Sequence, residues 1–177
     1  MTKRHVNSYS LYTGCLVASK FPFIELATRK VLDSFGIKLH DIQGASCCPN
    51  QMAIQSSDKA LWYALAARNL CLAEKKDHDI LALCNGCFDT LKSVNSKLKS
   101  DDGFRAEVNS LLKDKFGLEF SGTLDVKHVI QVLHDEIGLS ALERAAVRPL
   151  GKLRCAPFTG CHARRPMDHL GFDSLEA

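Results

Sequence analysis

Ile80-Leu81-Ala82-Leu83-Cys84-Asn85-Gly86-Cys87 decides how this chain folds. Four consecutive apolar residues read as a short strand covered on both faces, the pattern of a parallel sheet packed between helices. The run delivers Cys84 at its carboxyl end, and Gly86 permits the tight turn of a Cys-x-x-Cys before a helix expected from Cys87 to about Lys99. Thiols at that junction lie at the carboxyl edge of a sheet. The first amide N–H groups of the helix, with their partial positive charge, favour thiolate over thiol there.

Working outward, the same alternation of strand and helix recurs. Ser8 to Tyr12 reads as a strand, and Pro22 opens an amphipathic helix with Phe23, Ala27, Val31 and Leu32 turned inward until Gly36 stops it. Ile37 to Ile42 alternates as a half-buried strand, and Gln43-Gly44-Ala45-Ser46 breaks it so that Cys47-Cys48-Pro49 falls on a turn. Ser56-Ser57-Asp58 offers caps for a long helix to about Lys76, apolar on most sides through Leu61, Trp62, Leu65, Leu72 and its alanines. Beyond Asp101-Asp102-Gly103 a second amphipathic helix is expected over 104–116. Thr123 to Val129 reads as a strand or an extended lead into a helix over 130–137, and a short helix follows over 141–147. Leu153 to Thr159 is expected as a strand presenting Cys161. These units predict an α/β fold, a mostly parallel sheet flanked by helices, with the site at strand carboxyl ends and a helical insertion. The expected division is a cluster-binding unit over 1–100, a helical insertion or connection over 101–150, and the start of a second, incomplete unit over 151–177.

Composition narrows the functional classes. With 46% apolar residues among 177 and only 5 Pro, the chain buries a substantial core. Its 23 basic against 20 acidic residues, without a basic cluster interleaved with aromatics, argue against a nucleic-acid partner. No apolar run approaches the length of a membrane span and no secretory leader pattern follows Met1, so a cytoplasmic, soluble protein is expected. In that reducing compartment 8 cysteines point to metal ligation or redox chemistry rather than to a disulfide scaffold.

Five of the eight, Cys15, Cys47, Cys48, Cys84 and Cys87, follow the order C, thirty-one residues, CC, thirty-five residues, CxxC. Soft thiolates converging from strand ends and turns suit an iron–sulfur cluster. The adjacent pair reaches one centre only from a turn, where one sulfur can bridge two irons. Five thiolates exceed the four of a cubane cluster or a tetrahedral zinc, which hints at an unusual cluster geometry. A zinc site built from four of the five stays open, although zinc knuckles usually pair two CxxC units. A thioredoxin-like CxxC also fits the strand-to-helix junction, but leaves the other three cysteines unexplained.

Cys71, within an apolar helix, reads as a small buried hydrophobe, and Cys155 as a structural residue on the last strand. Lys92, Lys97 and Lys99 read as solvated helix surface. Phe158-Thr159-Gly160-Cys161 repeats Tyr12-Thr13-Gly14-Cys15 almost letter for letter, so a second copy of the cysteine site begins there. His162, between Cys161 and Arg164-Arg165-Pro166, is the candidate proton donor or anion contact at the mouth of such a site.

Gly44-Ala45-Ser46-Cys47-Cys48-Pro49, Leu65-Ala66-Ala67-Arg68-Asn69-Leu70-Cys71, Cys84-Asn85-Gly86-Cys87, Val126-Lys127-His128 and Gly160-Cys161-His162 with Arg165-Pro166 resemble, over nearly the whole chain, the cysteine-rich CCG-domain family, specifically its heterodisulfide reductase B subunits. That resemblance implies two CCG motifs, each holding a noncubane [4Fe–4S] cluster on five cysteines, and reductive cleavage of the disulfide between coenzyme M and coenzyme B. It makes Cys15, Cys47, Cys48, Cys84 and Cys87 ligands of the first cluster and Cys161 the first ligand of the second. The implied partners are a C-type subunit with ordinary [4Fe–4S] clusters and a flavin-containing A-type subunit, and the implied substrate is a disulfide or a sulfur-carrier protein. Only sixteen residues follow Cys161, so a second cluster needs ligands from elsewhere, either a longer polypeptide or another chain. Resemblance to one-cluster CCG subunits of lactate, glycolate or succinate oxidoreductases keeps an electron carrier without its own substrate as the alternative.

Overall fold

Alternation along the strands divides the apolar residues between two faces of one sheet. In the computed structural model, which describes residues 7–49, 51–148, 151, 153–156, 158 and 160–163, β1 (Ser8–Tyr12), β2 (Lys38–Asp41), β3 (Ile80–Ala82) and β4 (Val126–His128) form a parallel sheet in the order β2-β1-β3-β4. Tyr9, Leu11, Leu81 and Leu83 point to one face, where they meet Val17 of α1 (Gly14–Lys20) and Leu32 of α2 (Pro22–Ser34). Tyr12, Ile80, Ala82 and Val126 point to the other face. There they pack under α3 (Lys59–Glu74), α4 (Asn85–Ser100) and α5 (Asp102–Phe116). The α/β architecture expected from the alternating units is the one observed.

Local chemistry sets the helix ends. Asp58 accepts the Leu61 N–H at 2.9 Å to start α3, and Asp101 does the same for Phe104 at the start of α5. Gly117, at φ 62°, closes α5 in the left-handed region. The alanines of α3 let α4 and α5 approach closely, and Ala66, Ala67, Leu70 and Ala73 are fully buried. Cys71 is buried among them, as expected.

Several sequence expectations are corrected by packing. The buried stripe of α2 runs through Thr28 and Leu32 with Ile24 packed alongside, while Phe23 is 64% exposed and Ala27 and Val31 also face outward. Both stripes are spaced by four residues. Thr28 joins the buried one because its hydroxyl donates to the Ile24 carbonyl at 2.8 Å and so needs no water. The stretch after α4 gives β4 to the common sheet, and Val108, Leu112, Phe120 and Leu124 to the common core. Its end, expected as a helix over 130–137, forms α6 (Val129–Gln131) and a π-helical turn, Val132–Ile137, ahead of α7 (Leu139–Ala145). The strand expected over 153–159 is not formed by its described residues. Leu153, Cys155 and Phe158 are exposed there and pair with no strand of the sheet. Lys92 and Lys99 are not simply solvated: Lys92 pairs with Asp125 at 2.7 Å and Lys99 donates to the Leu124 carbonyl at 2.5 Å, tying α4 to the lead into β4.

His128, 3% exposed, caps α6 by accepting the Ile130 N–H on Nδ1 at 3.2 Å, and its own backbone N–H donates to Gln131 Oε1 at 2.9 Å. Burial lowers its pKa to about 4. The folded value lies below the unfolded value of about 6.5, so the unfolded chain binds the proton first. This contribution is therefore complete above about pH 6.5 and is lost as pH falls toward 4. Urea unfolding of metal-free protein is expected to show the wild type losing up to about 3 kcal/mol relative to His128→Asn between pH 7 and pH 4.5, since Asn caps without titrating. A pH-independent gap between the two proteins contradicts this.

Candidate functional site

The sheet order places β2 and β3 on opposite sides of β1, so the chain reverses its winding direction between β1 and β3. The carboxyl ends of two strands diverge there and leave a crevice, the usual ligand position in an open parallel sheet. Register aligns Tyr12 with Ala82, and the residues that follow each strand open into this crevice. Cys15 comes from the start of α1, Cys84 caps α4, Cys87 lies in its first turn, and Cys47-Cys48 lies on the irregular segment after β2.

The structure brings these five thiols together from three separate points of the chain. Cys47 Sγ lies 3.9 Å from Cys15 Sγ, Cys48 Sγ lies 3.0 Å from Cys87 Sγ, and Cys84 shares a hydrogen bond with Cys87. Cys48 and Cys87 are buried, Cys84 is half-buried, and Cys15 and Cys47 are exposed, so the group has one dry end and one wet end. Gly14 makes the approach possible. A Cβ at that position would lie 2.6 Å from Cys87 Sγ, and the φ of +65° is itself unfavourable for other residues.

Electrostatics within the group is uneven. Cys87 keeps its proton, and this single S–H is shared between Cys48 and Cys84, which pushes its own pKa far up. That donated hydrogen bond is the main reason the Cys84 pKa falls to about 5, helped by the backbone N–H groups of Gly86 and Cys87 at the start of α4. The Cys48 pKa is also lowered by Cys87, whereas burial and the neighbouring Cys48 and Cys15 sulfurs push Cys47 up to about 11. A cationic centre with several positions for sulfur removes this conflict by letting all five ionise together.

The donor set fits a multi-iron cluster: five soft ligands, helix N-terminal amides, and a glycine cradle where a side chain would intrude. Among the described residues no three or more His, Cys, Asp or Glu side chains are arranged to hold a single metal ion. The sulfurs lie instead in close pairs.

Supports that sequence patterning did not single out surround the cysteine pair. Trp62 Nε1 donates to the Pro49 carbonyl at 3.1 Å, Tyr12 Oη donates to the Ser46 carbonyl at 2.5 Å, and Asn69 reaches the same turn from α3. Their role as supports is marked by their position beside the cysteines in space.

Cys161 and His162 begin a 3₁₀ turn, Cys161–Ala163, seated on α4. His162 Nδ1 is 2.7 Å from Asp89 Oδ2, whose side chain is 2% exposed, and Ser93 Oγ also donates to this carboxylate at 3.1 Å. Cys161 and His162 line a cavity of about 610 Å³ with Asp89, Trp62, Gln51 and Ser93, and none of the five clustered cysteines lines it. Arg164, Arg165 and Pro166 lie outside the described residues.

A family model for the CCG cysteine-rich domain matches residues 9–92, which hold all five thiols. The chain is 42% identical over 161 residues to the B subunit of ferredoxin:CoB-CoM heterodisulfide reductase from Methanosarcina mazei, covering 91% of this chain and 53% of that protein. It is 31% identical over 166 residues to the 8-methylmenaquinol:fumarate reductase membrane anchor subunit of Wolinella succinogenes, covering 94% and 56%. The chain spans about half the length of the curated relatives it matches. A solved structure of a hypothetical protein from Helicobacter pylori superposes with a TM-score of 0.60 at 14% identity, over 70% of this chain and 24% of that one, and shares the fold. No helix among the described residues is long and apolar enough to cross a membrane.

Proposed function

Because this chain belongs to the CCG cysteine-rich family and is similar over nearly all its length to heterodisulfide reductase B subunits, we propose that it is the iron–sulfur subunit of a disulfide-reducing complex in the cytoplasm. Cys15, Cys47, Cys48, Cys84 and Cys87 hold one noncubane [4Fe–4S] cluster, and Cys161 is the first ligand of a second whose other ligands come from elsewhere. The observation that carries this reading is the convergence of five thiols at the crevice between β1 and β3. When bound, such a cluster supplies one-electron chemistry at sulfur.

Cleavage of a disulfide such as that between coenzyme M and coenzyme B consumes two electrons and two protons and yields two thiols. The electrons come from a C-type iron–sulfur subunit, fed by a flavin-containing A-type subunit. His162 is the proton donor. Asp89 holds its Nδ1, which fixes the ring and leaves Nε2 as the nitrogen that hands a proton to a product thiolate.

The second reading is a one-cluster electron-transfer subunit without its own substrate, favoured by the single five-thiol group among the described residues and by similarity to a fumarate reductase subunit. Iron and acid-labile sulfide per chain, measured anaerobically alone and with the partner subunits, test both. About four irons on the chain alone mean one cluster, and about four more in the complex, beyond those of this chain alone and of the partner subunits alone, mean that the second is closed there. A heterodisulfide-dependent EPR signal is expected for the reductase. A loaded protein whose signal ignores heterodisulfide supports the carrier, and an iron-free protein made without oxygen overturns both.

A further inference from the structure

Arg68 and Asn69, in a segment of α3 that the cluster ligands do not explain, both reach the turn bearing Cys47 and Cys48. Asn69 is fully buried. Its Oδ1 accepts the Ser46 N–H at 2.9 Å, and its Nδ2 donates to the Cys47 carbonyl at 3.2 Å and to Tyr12 Oη at 3.3 Å. Tyr12 Oη in turn donates to the Ser46 carbonyl at 2.5 Å. The backbone on both sides of Ser46 is thus held by one amide and one phenol, anchored in α3 and β1. Arg68 adds a longer contact from Nη1 to Ser46 Oγ at 3.4 Å, its guanidinium lying 5.5 Å from the Phe116 ring centroid.

An irregular segment has no ladder to fix it, and adjacent cysteines share a centre only if the peptide between them is held in one orientation. Asn69 is suited to this because a single amide supplies both the acceptor and the donor that neighbouring peptide groups require. Ala, Leu or Asp would leave at least one buried partner unpaired.

We propose that Asn69, working with Tyr12, is the positioning residue that sets the Cys47-Cys48 peptide for cluster binding, an assignment that rests on those cysteines holding the cluster. Asn69 touches no sulfur in this network. It acts through backbone, and so governs how the cluster is held rather than whether the domain folds.

The test uses the anaerobically loaded protein and its metal-free form, each as wild type, Asn69→Ala and Tyr12→Phe. Hydrogen exchange of the Ser46 amide in the metal-free Asn69→Ala protein is expected to accelerate at least about tenfold, with the amides of β1 and β3 unchanged. In the loaded protein the EPR line positions are expected to shift, and the half-life of iron loss to a chelator to shorten at least about fivefold; Tyr12→Phe, which keeps the ring and loses only the hydroxyl, shows smaller changes of the same sign. Should Asn69→Ala fail to fold, Tyr12→Phe decides alone. Variants whose EPR spectrum and iron retention match a loaded wild type overturn the Asn69 assignment and leave the cluster reading standing. A wild type that takes up no iron overturns both.

Discussion

Cys87→Ala is expected to reduce iron and acid-labile sulfide from about four per chain to near zero while the metal-free fold survives. Cys87 is 3% exposed and hydrogen-bonded with both Cys48 and Cys84, so its sulfur stands at the centre of the group. The substitution removes one of the proposed ligands and the geometric link between the turn after β2 and the start of α4. It costs the core little, because only one atom is deleted. A second readout needs no metal. The Cys84 pKa of about 5 depends first on the Cys87 hydrogen bond, so in Cys87→Ala the onset of Cys84 alkylation should move upward in pH by several units. Gly14→Ala is expected to produce much of the same iron loss from the other side, through a Cβ 2.6 Å from that sulfur. Full iron content in Cys87→Ala would show that the five thiols do not act as one ligand set.

Trp62→Ala is expected to destabilise the metal-free domain by about 3–5 kcal/mol, read as a lower urea midpoint at unchanged slope. Trp62 is 2% exposed in the core under α3 and α4, its ring set edge-on to Tyr63 with centroids 4.8 Å apart. Truncation leaves a cavity that the surrounding helices cannot collapse to fill. It also strands the Pro49 carbonyl, one residue after Cys48, which Trp62 Nε1 satisfies at 3.1 Å. Trp62→Phe separates the two effects, since it fills most of the volume and loses only the donor; a cost of about 1–2 kcal/mol is expected. Equal losses for the two variants would contradict a packing role for the indole.

The legible parts of this chain were those in which a residue's neighbours in sequence are also its neighbours in space. The strand at Ile80, the helix that follows Cys84, the cap at Asp58 and the break at Asp101 all express local hydrogen bonding and short-range periodicity. The helix at Gly14 was missed because it is too short to show a period, and the phase of α2 because two stripes of equal spacing lie one residue apart. The strand expected before Cys161 had the right composition. Composition does not supply a pairing edge.

By itself the sequence determined the thiol chemistry: five cysteines at turns and strand ends, one CxxC opening a helix, and an α/β alternation that sends both outer cysteine motifs to the same sheet edge. Tertiary structure alone decided the strand order β2-β1-β3-β4, and with it the crevice where Cys15 and Cys47 come within 3.9 Å and Cys48 and Cys87 within 3.0 Å. It also decided which buried side chains, Asn69, Tyr12 and Trp62, hold the cysteine turn, and that Asp89 receives His162 across seventy-three residues. The reason is physical. Propensity, caps and periodicity act over a few bonds along the chain, whereas a site assembled from distant loops depends on how strands pair and side chains interlock.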